Sequence, residues 1–397
     1  MTLESIKDQS VRSTSEFNFA GGLTGQVEQT GLSLGILPGG GTQGLISVYL
    51  AEEFESQTGE DFHTQFDSIH TVSVGSINGG ALWPLEETGA PLLTTEELKD
   101  FYLHGIDDAF KTNYWSLGGL IGHKYDISGL EDAIDEVFGD IKLSDYANGF
   151  NIYIVDLKTQ GVKILSSDQA KLDPSQDFYM RDLTRTAIAA PYYFEPIEIK
   201  NLAGETEQFV DGGVWANSPA FRAYFDAVSD GTKPENITMT VFGTGHTDQE
   251  PVKLEDIDGG ASEIANTVKL MFNARGNSHN EMLRERLGQR YIVLDTDLSG
   301  SDIGIVADDI AKVVPYAQKA VRENMGYINI AANNILELRG QDPATMYARP
   351  SEEFNEPFDN KLRSTGDVIG EDDNVIEAGG LFSGFGINGL FANRLPA

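Results

Sequence analysis

The hydrophobic pattern becomes regular at Gly31 and then switches between two periods. Leu32–Leu37 is a short apolar run that stops at Pro38 and three glycines, the profile of a buried strand emptying into a tight loop. Residues 42–56 follow with helical spacing through Leu45, Val48, Tyr49 and Phe54. Residues 66–72 predict a second strand and 77–87 a second helix. Strand, helix, strand, helix predicts a parallel sheet covered on both faces. Further strands are predicted at 151–156, 161–165, 208–210, 237–242 and 290–294, and residues 91–148, 261–287 and 307–338 read mostly as helix. Pro315 should kink or restart the last of these. No internal repeat interrupts the series.

The two ends read differently. Residues 1–30 are polar and mixed in charge, a loosely ordered leader without the apolar segment of a secretory signal. After Pro350 the chain turns acidic, Gly-rich and aperiodic, and from Ala378 to Asn393 it carries no charge. Its Leu381, Phe382, Phe385, Ile387, Leu390 and Phe391 suit either docking on the body or a neighbouring subunit, or an interfacial anchor.

Composition narrows the function classes. Forty per cent of the 397 residues are apolar, enough for a sizeable core, and there is no cysteine. Disulfides, thiolate metal sites and a cysteine nucleophile are therefore excluded. No stretch reaches the roughly 20 apolar residues needed to cross a bilayer, so a soluble, cytoplasmic protein is expected. A formal net charge of −34 repels phosphate backbones and excludes nucleic acid as a partner. It also disfavours anionic lipid surfaces and suits a solubilising acidic exterior.

Three motifs carry chemistry. Gly39, Gly40, Gly41, Thr42 and Gly44 lie between a predicted strand and helix, where backbone N–H groups can approach an anion at the positive end of a helix. The device serves an oxyanion hole or a pyrophosphate cradle, and Gly39, Gly41 and Gly44 satisfy the dinucleotide-binding spacing. That second reading wants an acid at the end of the next strand, whereas Glu60 and Asp61 precede it. Next, Thr71-Val72-Ser73-Val74-Gly75 fits a nucleophile elbow, although a serine capping the following helix gives the same local pattern. Last, Asp211-Gly212-Gly213 places a carboxylate on a glycine loop after a strand, with no histidine nearby. Together the three predict a serine activated by a carboxylate, at glycine-lined turns facing the carboxyl-end crevice of one sheet.

With those residues in place, the chain resembles the patatin-like phospholipases over roughly residues 31–295. Gly39 to Gly44 match the glycine-rich loop, Ser73-Val74-Gly75-Ser76-Ile77-Asn78 the elbow, and Asp211 to Pro219 the dyad aspartate motif. Lys124-Tyr125-Asp126, Ala189-Ala190-Pro191-Tyr192-Tyr193-Phe194 and Gly243-Thr244-Gly245 are further echoes. Thr71 stands where the family usually has glycine, and Gln43 where it has arginine or lysine.

The resemblance implies an α/β three-layer sandwich with a mostly parallel central sheet. It divides the chain into a leader (1–30), a patatin-like catalytic domain (31–295), a helical C-terminal extension (296–349) and a tail (350–397). It implies a lipid acyl hydrolase with Ser73 as nucleophile and Asp211 as general base, and Gly39, Gly40 and Gly41 forming the oxyanion hole. Thr42, Gly44, Gly75, Gly212 and Gly213 support them. No metal or organic cofactor is expected. Phospholipid or lysophospholipid esters are the expected substrates, met at a transient membrane surface, and an oligomer or activating partner is compatible with the family. Apolar residues Trp115, Leu117, Leu120 and Ile121 suit the wall of an acyl groove or an ordinary core helix. The alternative is a catalytically weak or degenerate binding or storage protein, with a dinucleotide-binding oxidoreductase a distant third.

Overall fold

A computed structural model describes residues 31–105, 128–191, 193–247, 278–301, 303 and 310–343. The leader, the tail, the proposed groove residues, Lys124-Tyr125-Asp126, Tyr192 and residues 261–277 of a predicted helix lie outside the described residues. In chain order the elements are β1 (Leu32–Leu37), α1 (Gly44–Thr58), β2 (Ser68–Val72), α2 (Val74–Leu82), α3 (Thr95–Asp100), α4 (Ser128–Phe138), β3 (Phe150–Asp156) and β4 (Gly161–Ser166). There follow α5 (Ser167–Leu172), α6 (Met180–Ala187), β5 (Glu198–Lys200), β6 (Thr206–Asp211), α7 (Ala220–Ser229), β7 (Ile237–Phe242), a helix α8 over residues 278–287, β8 (Tyr291–Leu294) and α9 (Val314–Leu338).

The strands form one eight-stranded mixed sheet along the path β5-β6-β3-β2-β1-β7-β8, with β4 also paired to β3. From β3 through β2, β1 and β7 to β8 every pairing is parallel, and β4, β5 and β6 pair antiparallel. Alternation along the strands separates two apolar layers. Leu34, Ile36, Ile237, Met239 and Val241 pack with α7 and α8, whereas Leu37, Ile69 and Phe242 face the larger cluster under α1, α2, α4, α6 and α9. This is the predicted three-layer α/β sandwich. Ala317, Ala320, Ile328, Ala331 and Ile335 of α9 belong to that larger cluster, so the core does not divide near residue 296.

Local chemistry moved several boundaries. The predicted helix 77–87 is α2, which starts directly after Ser73 and stops at Leu82. Trp83 precedes Pro84 and is extended (φ −85°, ψ 139°), as the proline ring demands of its neighbour. Pro315 lies in the first turn of α9, where a missing N–H is harmless, and it starts that helix without kinking it. Among the described residues of 91–148, helix is confined to α3, a π turn at Phe101–Gly105, α4 and a 3-10 turn at Leu143–Asp145. Within the mostly parallel sheet, the third motif loop follows a strand, β6, that runs antiparallel to β3.

The register shows how that direction builds the site. Tyr153 pairs with Ile164 of β4 and Val72 of β2, so β4 and β2 occupy opposite edges of β3. Ile154 pairs with Lys163 of β4 and Asp211 of β6, so β6 shares the edge used by β2. The two strands therefore arrive along one edge of β3 from opposite directions. Their last residues, Val72 and Asp211, stand opposite the consecutive residues Tyr153 and Ile154. Both chains must leave the sheet at the same place.

Candidate active site

Ser73 is the residue at which β2 leaves. Its backbone sits at φ 54°, ψ −129°, a left-handed conformation that side chains other than glycine rarely adopt. Such a position stores roughly 1–3 kcal/mol and persists only where the surroundings impose it. Here the Ser76 N–H closes onto the Ser73 carbonyl at 2.8 Å, and α2 begins at once. The Ser73 hydroxyl makes no capping bond to α2. It donates instead to Asp211 Oδ2 at 2.6 Å. The capping reading is thus replaced by a serine–carboxylate contact.

The tightness of the elbow depends on Gly75, where a β-carbon would lie 2.0 Å from the Leu37 carbonyl oxygen at the end of β1. Thr71 fits the crowded turn through its neighbours. Its hydroxyl donates to the Asn151 carbonyl at 3.0 Å and lies 3.2 Å from Ser76 Oγ, while its methyl faces Gly79 on α2. A β-carbon at Gly79 would meet that methyl at 2.6 Å. The glycine given up at position 71 is matched by one on the facing helix.

Asp211 ends β6 and is 3% exposed, whereas Ser73 above it is half-buried. Burial pushes its carboxyl up to about 6, and the bonds from Ser73 and the Gly213 N–H (2.7 Å to Oδ1) offset part of that rise. Gly212 lets the chain turn away beneath β3, since a β-carbon there would sit 2.1 Å from the Tyr153 carbonyl. A carboxylate in this setting is a stronger base than one in water, and it touches the hydroxyl it would deprotonate.

The glycine loop closes the third side. A β-carbon on Gly39 would come within 2.9 Å of the Ser73 β-carbon, so this loop passes directly over Ser73. Of the three glycines expected to form an oxyanion hole, one has its N–H engaged within the protein. The Gly39 N–H donates to the Asn217 carbonyl at 2.9 Å and is unavailable to a substrate oxygen. Among the described residues, no hydrogen bond is made by the Gly40 or Gly41 N–H. Thr42 is buried in the following 3-10 turn, and Gly44 opens α1.

Sequence reasoning quoted Asn217 and Thr244 only as parts of motifs. Asn217 Nδ2 and Thr244 Oγ1 both donate to the Gly39 carbonyl, at 2.9 and 2.7 Å. Asn78 of α2 reaches the start of α1 by donating to the Gly44 carbonyl (3.1 Å) while accepting from Tyr102 (2.7 Å). Histidine plays no part in the contact between serine and acid. His70 lies buried between Ser68 and Tyr153 and is lowered to about 3 by burial, and His246 pairs with Asp295. Among the described residues, no cluster suits a metal ion and no helix is long and apolar enough to cross a membrane. Glu60 and Asp61 stand before β2 and not at its carboxyl end, which leaves the dinucleotide reading without its ribose-binding acid.

Residues 35–224 match the family model described as patatin-like phospholipase. The chain is 30% identical over 211 residues to patatin-like protein 2 of Arabidopsis thaliana, covering 49% of this chain and 52% of that one. It is 29% identical over 239 residues to patatin-like protein 4 of the same plant (54% and 59%), and 28% identical over 189 residues to patatin group M-3 of Solanum tuberosum (45% and 48%). The chain thus spans about half the length of the curated relatives it matches. Among solved structures it is similar to VipD from Legionella pneumophila, at a TM-score of 0.30 and 11% identity, over 80% of this chain and 86% of that one. Residues 35–224, which carry the glycine loop, the elbow serine and the aspartate, are thus a patatin-like phospholipase domain.

Proposed function

We propose that the protein is a lipid acyl hydrolase that cleaves carboxylic esters of phospholipids or lysophospholipids through an acyl-Ser73 intermediate. The observation that carries this reading is the 2.6 Å bond from a strained, half-buried Ser73 to a buried Asp211. Asp211 accepts the hydroxyl proton as Ser73 Oγ attacks the ester carbonyl carbon. The electron pair pushed onto the carbonyl oxygen faces the N–H groups of Gly40 and Gly41, donors of a kind worth roughly 3 kcal/mol each to the barrier. Collapse breaks the ester C–O bond, and the departing alkoxide takes the proton from Asp211. Water then gives a proton to Asp211 and attacks the acyl carbon, and Ser73 leaves with that proton as the fatty acid is freed.

The test reads fatty-acid release from phosphatidylcholine vesicles and from soluble p-nitrophenyl esters, alongside fluorophosphonate labelling of the protein. Turnover of at least one ester, with the label mapped to Ser73, is expected. An unlabelled Ser73 and no turnover of either substrate would sink the proposal.

The raised carboxyl of Asp211 sets the pH dependence. The base works only when ionised, so kcat/KM should fall as pH drops through about 6, tenfold per unit below it. A soluble ester without a titrating group gives the cleanest profile. An acid limb at the ordinary aspartate value of about 3.9 would mean that Asp211 is not the desolvated base.

A further inference from the structure

The Gly39 carbonyl and the Gly40 N–H belong to one peptide unit. Among the described residues the backbone has no cis peptide bond, and in a trans unit the C=O and the N–H point in opposite directions. Whatever holds the Gly39 oxygen therefore aims the Gly40 hydrogen. Two side chains hold it: Asn217 Nδ2 at 2.9 Å, from the loop that follows Asp211, and Thr244 Oγ1 at 2.7 Å, from the end of β7. The preceding peptide unit is fixed as well, because the Gly39 N–H donates to the Asn217 carbonyl at 2.9 Å. Consecutive glycines have the softest torsions in a chain, so this plane has little stiffness of its own. Thr244 is 4% exposed, and its β-carbon occupies the place where one on Gly40 would fall, 2.5 Å away. Two donors on the carbonyl also polarise the amide and strengthen its N–H as a donor.

We propose that Asn217 and Thr244 are positioning residues that clamp the Gly39–Gly40 peptide so that the Gly40 N–H faces the oxyanion formed at Ser73. The inference rests on the hydrolase reading above. Asn217 also ties the aspartate loop to the glycine loop, so base and anion donor are set by one contact network.

Thr244→Val keeps the shape and removes the donor. It should lower kcat roughly tenfold, against the 100- to 1,000-fold that losing an oxyanion donor itself costs. KM and melting temperature should hold. A trifluoromethyl ketone, which forms a tetrahedral oxyanion on serine, should lose affinity by the factor lost in kcat, while a non-hydrolysable ether analogue of the substrate should bind as before. Thr244→Ser should restore the wild-type values, and Asn217→Ala should repeat the Thr244→Val pattern. Wild-type kcat and ketone affinity in Thr244→Val, or equal losses for ketone and ether, would overturn the positioning role. Fluorophosphonate labelling of wild-type Ser73 is read in parallel. A labelled wild type beside an unimpaired Thr244→Val overturns the clamp alone, whereas an unlabelled and inactive wild type overturns the hydrolase reading and the clamp with it.

Discussion

Ser73→Ala and Asp211→Asn should each reduce ester turnover by roughly 10,000-fold or more, and the double variant should be no worse than either alone. The two groups share one hydrogen bond of 2.6 Å, so removing either ends the same proton transfer. Losses that multiply in the double variant would show two groups acting independently. The variants should differ in stability. Folding raises the Asp211 carboxyl from 3.8 to about 6, so the stability this group contributes is fully present below about 3.8 and is lost as pH rises through about 6. Above that range the wild type keeps a charge in a site 3% exposed. Asp211→Asn removes the charge and retains an amide able to reach Ser73. It should melt at or above the wild-type temperature at alkaline pH, with the gap closing as pH falls below about 6. A variant less stable than wild type at every pH would contradict the desolvation account.

Gly75→Ala should damage both fold and activity. The added carbon would lie 2.0 Å from the Leu37 oxygen, 2.7 Å from the Leu37 carbonyl carbon and 2.9 Å from the Pro38 oxygen, all backbone atoms that no rotamer change can move. The first turn of α2 must then draw away from β1, carrying Ser73 with it. A stability loss of about 3 kcal/mol is expected from overpacking of this severity. Turnover should fall about 100-fold or more, as a displacement near 1 Å in a reacting group can cause. Gly326→Ala is the matched control. It lies on the exposed side of α9 with nothing within 4 Å, and should stabilise by up to about 1 kcal/mol through helix propensity. Thermal melts and ester assays on the pair check both expectations. A Gly75→Ala protein that melts and turns over like wild type would show that the elbow has room the backbone distances deny.

Much of the site was legible because its signals are local. A buried run ending in Pro38 and glycines, a serine with Gly75 two residues on, and an acid before Gly212-Gly213 each state a strand end and a tight exit within a few residues. Pro84 and Pro315 carried boundary information of the same kind, although the predicted helix 77–87 ran past the first of them. Thr71 gave no hint of its own accommodation, because the glycine that receives its methyl, Gly79, lies on another element.

What the sequence determined by itself was the order of the strands other than β5, the helices that follow β1 and β2, and the positions of a serine and an acid at two strand ends; β5 and the helices α5, α6 and α7 went unpredicted. The tertiary structure decided how they meet. Strand direction is set by long-range pairing, so only the register on β3 reveals that β2 and β6 approach head-on and leave Ser73 and Asp211, 138 residues apart, in contact. Burial of Asp211 raises its carboxyl to about 6 even though the bond from Ser73 pulls it down, a value that follows from desolvation and not from the residue type. How the Gly39 peptide is held was equally silent in the chain. That depends on the Asn217 carbonyl engaging Gly39, and on two side chains from distant loops converging on one carbonyl oxygen. Hydrophobic period and turn chemistry act over a few residues and can be read along the chain, whereas a hydrogen bond between loops exists only once packing has brought them together.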